Sequence, residues 1–148
     1  MLLSREALKR WLLNWLPRRL LGLILIATGL GKALDIPGFV DVIAAYQLLP
    51  EIGNVLVAYT LPFIELLTGL ALFTGYALIM ASWSAVLLHI VMLIASTVTL
   101  LRGIHLDNCG CFGVFLARPL TLQTPIEDAL LLALSTLILW RSYSVRIH

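Results

Sequence analysis

The chain predicts an all-α integral membrane protein, a four-helix bundle with an N-terminal interfacial helix. Three observations carry that prediction. Hydrophobic residues make up 61% of the 148, charged residues only 12%, and the mean hydropathy is +1.01, a composition far from that of soluble domains. Four apolar stretches come close to or exceed the roughly 20 residues that a bilayer crossing needs. The basic residues gather outside them: Arg5, Lys9, Arg10, Arg18 and Arg19 precede the first stretch, and Arg141 and Arg146 follow the last. By the positive-inside rule both termini are expected in the cytoplasm of a multi-pass inner (plasma) membrane protein, with lipid as its first partner. A net charge of +2, thinly spread, excludes nucleic acid as a partner.

Residues 1–17 are read as an interfacial amphipathic helix. Leu2, Leu3, Leu8, Trp11, Leu12, Trp15 and Leu16 recur at three- and four-residue steps with Arg5, Lys9 and Arg10 between them, a pattern suited to the headgroup level. Charges inside the apolar pattern, and the lack of a small-residue cleavage site, predict that this segment is retained. Pro17 is expected to end it. Residues 18–148 then form the membrane domain, with spans at about 18–35, 55–73, 77–101 and 125–143. The first carries Gly22, Gly29 and Gly31, which allow close approach of a neighbouring helix. Asp35-Ile36-Pro37-Gly38 breaks it, with Asp35 as a cap for the short amphipathic stretch Phe39 to Leu49. Pro62 is expected to kink the second span, which places Glu65 near its middle. Thr74-Gly75-Tyr76 makes a tight turn into the third, and Thr124-Pro125-Ile126-Glu127 matches a capping box that opens the fourth.

Between the third and fourth spans lies Asp107-Asn108-Cys109-Gly110-Cys111-Phe112-Gly113, which holds both cysteines of the chain. Gly110, with no Cβ, can take the backbone angles that a disulfide across one residue demands. As a staple such a bond would do little: closing a three-residue loop yields only about 1.6 kcal/mol of chain entropy, before ring strain is subtracted. Strain also raises the reduction potential, which suits a redox-active pair. The even number of spans puts this loop on the extracytoplasmic, oxidising side.

With Gly29-Leu30-Gly31-Lys32, Leu49-Pro50, Leu61-Pro62-Phe63-Ile64-Glu65 and Cys109-Gly110-Cys111-Phe112-Gly113, the chain resembles the MauE-like family of methylamine-utilisation membrane proteins, part of a wider DoxX-like group. The resemblance implies a four-helix membrane protein associated with disulfide formation or thiol transfer, working with a thioredoxin-like or other substrate thiol protein outside the cytoplasm. The layout is also similar to vitamin K epoxide reductase and DsbB-type quinone-linked oxidases. Those carry two cysteine pairs, so here Cys109 and Cys111 would have to meet both electron donor and electron acceptor.

The candidate catalytic residues are Cys109, Cys111 and His105, the last as proton acceptor or charge partner for a thiolate. The alternative for His105 is an interfacial polar residue, and Arg102 and Arg118 are the other cations in reach. Gly110 and Phe112 support the pair as loop and packing residues. Lys32, Glu65 and His89 are ionisable groups inside the spans. At about 1.5 Å per residue Glu65 and His89 lie roughly 15 Å and 18 Å below the outer ends of their helices, a depth at which they could pair. Their functional reading is a proton path or a polar pocket beneath the cysteine loop for a quinone head group, the one cofactor considered. The other reading is a polar contact that fixes helix register. No resident metal site is assigned. The leading function is a membrane thiol-disulfide oxidoreductase. The alternatives are a soft-metal protein that takes Cu(I) or Hg(II) on the two thiolates and His105, and a non-catalytic membrane assembly factor. A Cys111→Ser change separates the three: exchange is abolished, with a partner trapped on Cys109, metal affinity falls without an adduct, and a scaffold survives.

Overall fold

The computed structural model describes residues 5–146, of which side chains are described from Trp15 to Ser144. Leu2 and Leu3, and the side chains of the expected interfacial face up to Asn14, lie outside it. The regular secondary structure of the described residues is all helical: α1 (Arg5–Ala33), α2 (Ile36–Ala45), α3 (Glu51–Thr74), α4 (Leu78–Leu101) and α5 (Gln123–Arg146). Its four long helices close into a ring, α1 against α3, α3 against α4, α4 against α5 and α5 back against α1. Leu21, Leu25, Leu72, Ala81, Ala85, Leu88 and Ile138 fill the centre.

Helices α3 and α4, each 24 residues, reach about 36 Å and are apolar enough to cross a membrane. The pair formed by α1 from Trp15 onward and α2 passes the same test as one broken span, bent by 100°. Helix α5 has the length, but Glu127, Asp128 and Arg141 interrupt its apolar run. The protein is therefore a multi-pass membrane protein with two or three helices that qualify on hydropathy.

Two boundaries differ from the sequence expectation. Pro17 does not end a helix: α1 runs through it, as α3 runs through Pro62, since membrane helices tolerate a missing N–H where neighbours and side chains compensate. The capping box does not form, because α5 starts at Gln123, two residues early, and Glu127 turns instead to Arg118 and Gln123. The Asp35 cap is as expected, its Oδ1 accepting from the Gly38 N–H at 3.0 Å. Gly75 closes α3 in the left-handed region at φ +85°, its N–H bonded to the Ala71 carbonyl at 2.8 Å.

Helices α1 and α3 meet backbone to backbone. A Cβ on Gly22 would stand 2.8 Å from the Gly69 carbonyl oxygen, and one on Gly69 2.7 Å from that of Gly22, so only glycine allows this crossing. It ends at the buried ion pair of Lys32 and Glu65. The sharp turn after α1 then carries α2 across the end of the bundle, over that pair and beside the cysteine loop.

Candidate functional site

The cysteine loop joins α4 to α5 and is tied down on every side. Arg102 Nη1 donates to the carbonyls of Tyr46 at 3.3 Å and Gln47 at 2.9 Å, which fixes the loop's start to the end of α2. The Cys109 N–H bonds to the Arg118 carbonyl at 2.7 Å, and the Leu120 N–H to that of Leu106 at 2.9 Å. Inside this closure Asn108 acts as a clasp: its Oδ1 accepts from the Gly110 N–H at 2.9 Å and its Nδ2 donates to the Gly113 carbonyl at 3.0 Å. The Tyr46 hydroxyl donates to the Cys109 carbonyl at 2.6 Å.

Glycines let this loop press on its neighbours. Gly110 has φ +70°, and a Cβ there would be 2.6 Å from Val42 Cγ1, so both conformation and space require glycine. At the end of α1, a Cβ on Gly31 would lie 2.5 Å from the Phe112 carbonyl oxygen. The Gly29-Leu30-Gly31-Lys32 stretch and the Cys109-Gly110-Cys111-Phe112-Gly113 stretch therefore meet in space, and Phe112 contributes its backbone to that contact.

Both cysteines are free thiols with sulfurs 2.9 Å apart, Cys109 buried and Cys111 half-buried. Closing a disulfide, at about 2.05 Å, asks for an approach of less than about 1 Å. The pair is electrostatically asymmetric. The hydrogen bond shared with Cys111 lowers the Cys109 thiol to about 6, helped by the Cys111 backbone N–H and the Arg118 charge, and opposed by burial and Asp128. The same hydrogen bond and burial push Cys111 up. Arg118 is held nearby by a bidentate pair with Glu127 at 2.7 and 3.2 Å.

Of the other sequence candidates, His105 is exposed in the loop. Lys32 and Glu65 are brought together, Nζ to the two carboxylate oxygens at 2.7 and 2.8 Å, with both side chains almost wholly buried. Glu65 does not pair with His89, whose Nδ1 lies 2.6 Å from the Ala85 carbonyl. Sequence reasoning missed Tyr46, Asn108 and Asp128, and gave Arg118 only as a nearby cation. Asn108 carried a readable signal in Asp-Asn-Cys-Gly, a turn-forming sequence. Tyr46 and Asp128 carried none, since their place depends on how α2 and α5 fold back. Asp128 accepts from Ser96 Oγ at 2.9 Å. Among the described residues no group of three histidine, cysteine or carboxylate side chains is arranged to hold a metal ion.

The protein-family model described as "Methylamine utilisation protein MauE" matches residues 9–141. The chain belongs to the MauE family. A curated relative, the methylamine utilization protein MauE of Paracoccus denitrificans, is 30% identical over 126 residues, covering 82% of this chain and 68% of that protein. No solved structure matches. The MauE match spans the whole site from Lys32 to Asp128, so the joined glycine, ion-pair and cysteine motifs lie within the family's region.

Proposed function

We propose that this MauE-family protein is a membrane thiol-disulfide oxidoreductase serving methylamine utilisation, with its cysteine loop on the extracytoplasmic side. The observation that carries the reading is the asymmetric pair: two free sulfurs 2.9 Å apart, one buried and one half-buried, in a loop pinned to three helices. The charge distribution supports the sidedness, since Arg18 packs against Gly75 at the α3–α4 turn, the end of α4 opposite the cysteine loop.

The asymmetry sets the order of exchange. In the oxidised form an incoming thiolate of a thioredoxin-like or other thiol protein attacks the accessible Cys111 sulfur. The Cys109–Cys111 bond breaks and Cys109 leaves as a thiolate, a good leaving group because of its low pKa. A second thiol of the partner then attacks the mixed disulfide, releasing Cys111 as a thiol and the partner as a disulfide. Two electrons pass to the cysteine pair and the partner's two thiols are oxidised. Proteins with paired cysteines outside the cytoplasm are the substrates this chemistry fits.

Single-cysteine variants test it. In native membranes Cys109→Ser is expected to hold a partner as a reducible adduct on Cys111, while Cys111→Ser traps far less, the reverse of the sequence expectation, because the sulfur it leaves, Cys109, is the buried one. Soft-metal protection of both thiols with no adduct in either variant would favour the metal reading, and full function in both would favour a scaffold.

A further inference from the structure

The cysteine pair borders a cavity of about 340 Å³ whose walls are almost entirely apolar. It lies between α2 and α4, which make no close backbone approach to each other. Leu48 and Leu49 on one rim, and Val91 and Ile94 on the other, are exposed on the bundle's outer surface, so the opening faces the bilayer. Cys109, Gly110 and Cys111 form part of the lining, as do Lys32 and the Asp128–Ser96 pair.

Lys32 decides what kind of occupant fits. Its side chain is 2% exposed, and its ammonium carries three N–H donors, two of which the Glu65 oxygens take up. The third N–H is not used by Glu65; the ring of Phe39, which also lines the cavity, has its centroid 5.9 Å from Nζ, so an oxygen acceptor entering the cavity would be a stronger partner. The complementary molecule is flat and apolar, enters from lipid, and presents a neutral oxygen acceptor at one end. Because it would touch a dithiol, it is also positioned to accept two electrons.

We propose that this cavity binds a lipid-soluble quinone, with one carbonyl oxygen accepting from Lys32 and the ring against Cys109, as the acceptor that reoxidises the pair. The inference rests on the oxidoreductase reading above. In the step, the Cys109 thiolate and Cys111 thiol give two electrons to the ring. A Cys109–Cys111 bond forms and the Cys111 S–H bond breaks. Both carbonyls become hydroxyls, one proton coming from Cys111 and the other from water at the loop, so that thiolate, thiol, quinone and one proton yield disulfide and quinol.

The test uses the full chain in lipid nanodiscs, reduced and free of oxygen, with tetramethyl-benzoquinone as probe. Its ring has no free position for thiol addition, so consumption reports electron transfer. The expected result is one quinol formed per protein, saturating with probe concentration, together with loss of two thiols. Ala95→Phe, which fills the cavity, is expected to raise the half-saturating concentration at least tenfold. A rate that never saturates, or that is equal in the variant, overturns the site. As a readout independent of turnover and of any variant, a photoreactive azidoquinone is irradiated with the oxidised wild-type protein. Label on residues 42–49 or 91–95 supports the cavity, and label spread over all lipid-facing helices overturns it. A pair that cycles in thiol buffers yet never reduces the probe overturns the quinone site alone, whereas a pair that does not cycle in thiol buffers overturns the oxidoreductase reading.

Discussion

Helices α1 and α3 pack backbone to backbone from Gly22 to Lys32, while α2 and α4 stand apart and leave a cavity. At the first interface Gly22 and Gly69 bring backbones into contact and the Lys32–Glu65 pair closes the end of the seam. At the second, apolar side chains line a space that reaches the two sulfurs. The same chain thus holds a closely packed half that fixes where the cysteine loop docks, through Gly31 and Phe112, and an open half with a cavity beside the loop. Stability should depend on the first region and redox chemistry on the second.

The largest effect is expected from Lys32→Met. It leaves the Glu65 carboxylate buried without its partner, a loss expected at about 3–5 kcal/mol, read as a lowered unfolding temperature in detergent. Adding Glu65→Leu to Lys32→Met removes the stranded charge and should recover most of the loss. Equal melting of the single variant and wild type would mean that the seam is not what holds the bundle.

Next in size is the contrast between two enlargements. Gly22→Leu forces the α1–α3 backbones apart and should cost about 1–3 kcal/mol. Ala95→Phe, placed in the open gap, should cost clearly less in the same melting experiment. A reversed order would show that the gap is as tightly specified as the seam.

Asn108→Ala removes two hydrogen bonds of the loop clasp, each of net worth about 1 kcal/mol. Its effect should appear as faster alkylation of both cysteines with little change in bundle melting, because the loop lies outside the seam. A pH series sharpens the same point. With Cys109 lowered to about 6, its thiolate dominates above that pH and disappears below it. Alkylation at Cys109 should therefore rise through a midpoint near pH 6 and then level off, whereas an ordinary thiol would keep rising to about pH 8.5. The smallest effect belongs to Arg118→Gln. The Arg118–Glu127 pair is substantially exposed and worth about 0–1 kcal/mol, so melting should hardly change. The Cys109 alkylation midpoint should move upward, because a positive charge that favours the thiolate has been removed.

Much of the seam was legible in the sequence, and less of the gap. The glycines of the first span, Lys32 and Glu65 are unusual in an apolar run, and their type alone says that something must pack closely or pair. What the sequence left open was which pairs form: Lys32 takes Glu65, and His89 turns to its own helix at Ala85. Asp35, Pro37 and Gly38 announced the break before α2, but nothing local says that α2 turns by 100° and thereby brings Tyr46 to the Cys109 carbonyl. Pro17 misled because its helix-breaking tendency is a local property, outweighed in a membrane helix. Glu127 did so because a long-range partner, Arg118, outcompeted its own helix terminus. The cysteine motif was plain, while the cavity beside it is a property of two helices that fail to meet and has no sequence signature.

The most direct test of the account is the redox potential of the Cys109–Cys111 pair, measured in membranes by thiol alkylation and mass shift across defined thiol buffers. The expected result is a reversible two-electron couple, more oxidising than the roughly −300 mV limit typical of structural disulfides, with both thiols reached from the extracytoplasmic side. A pair that stays fully reduced or fully oxidised across those buffers, or that is labelled only from the cytoplasmic side, would contradict it.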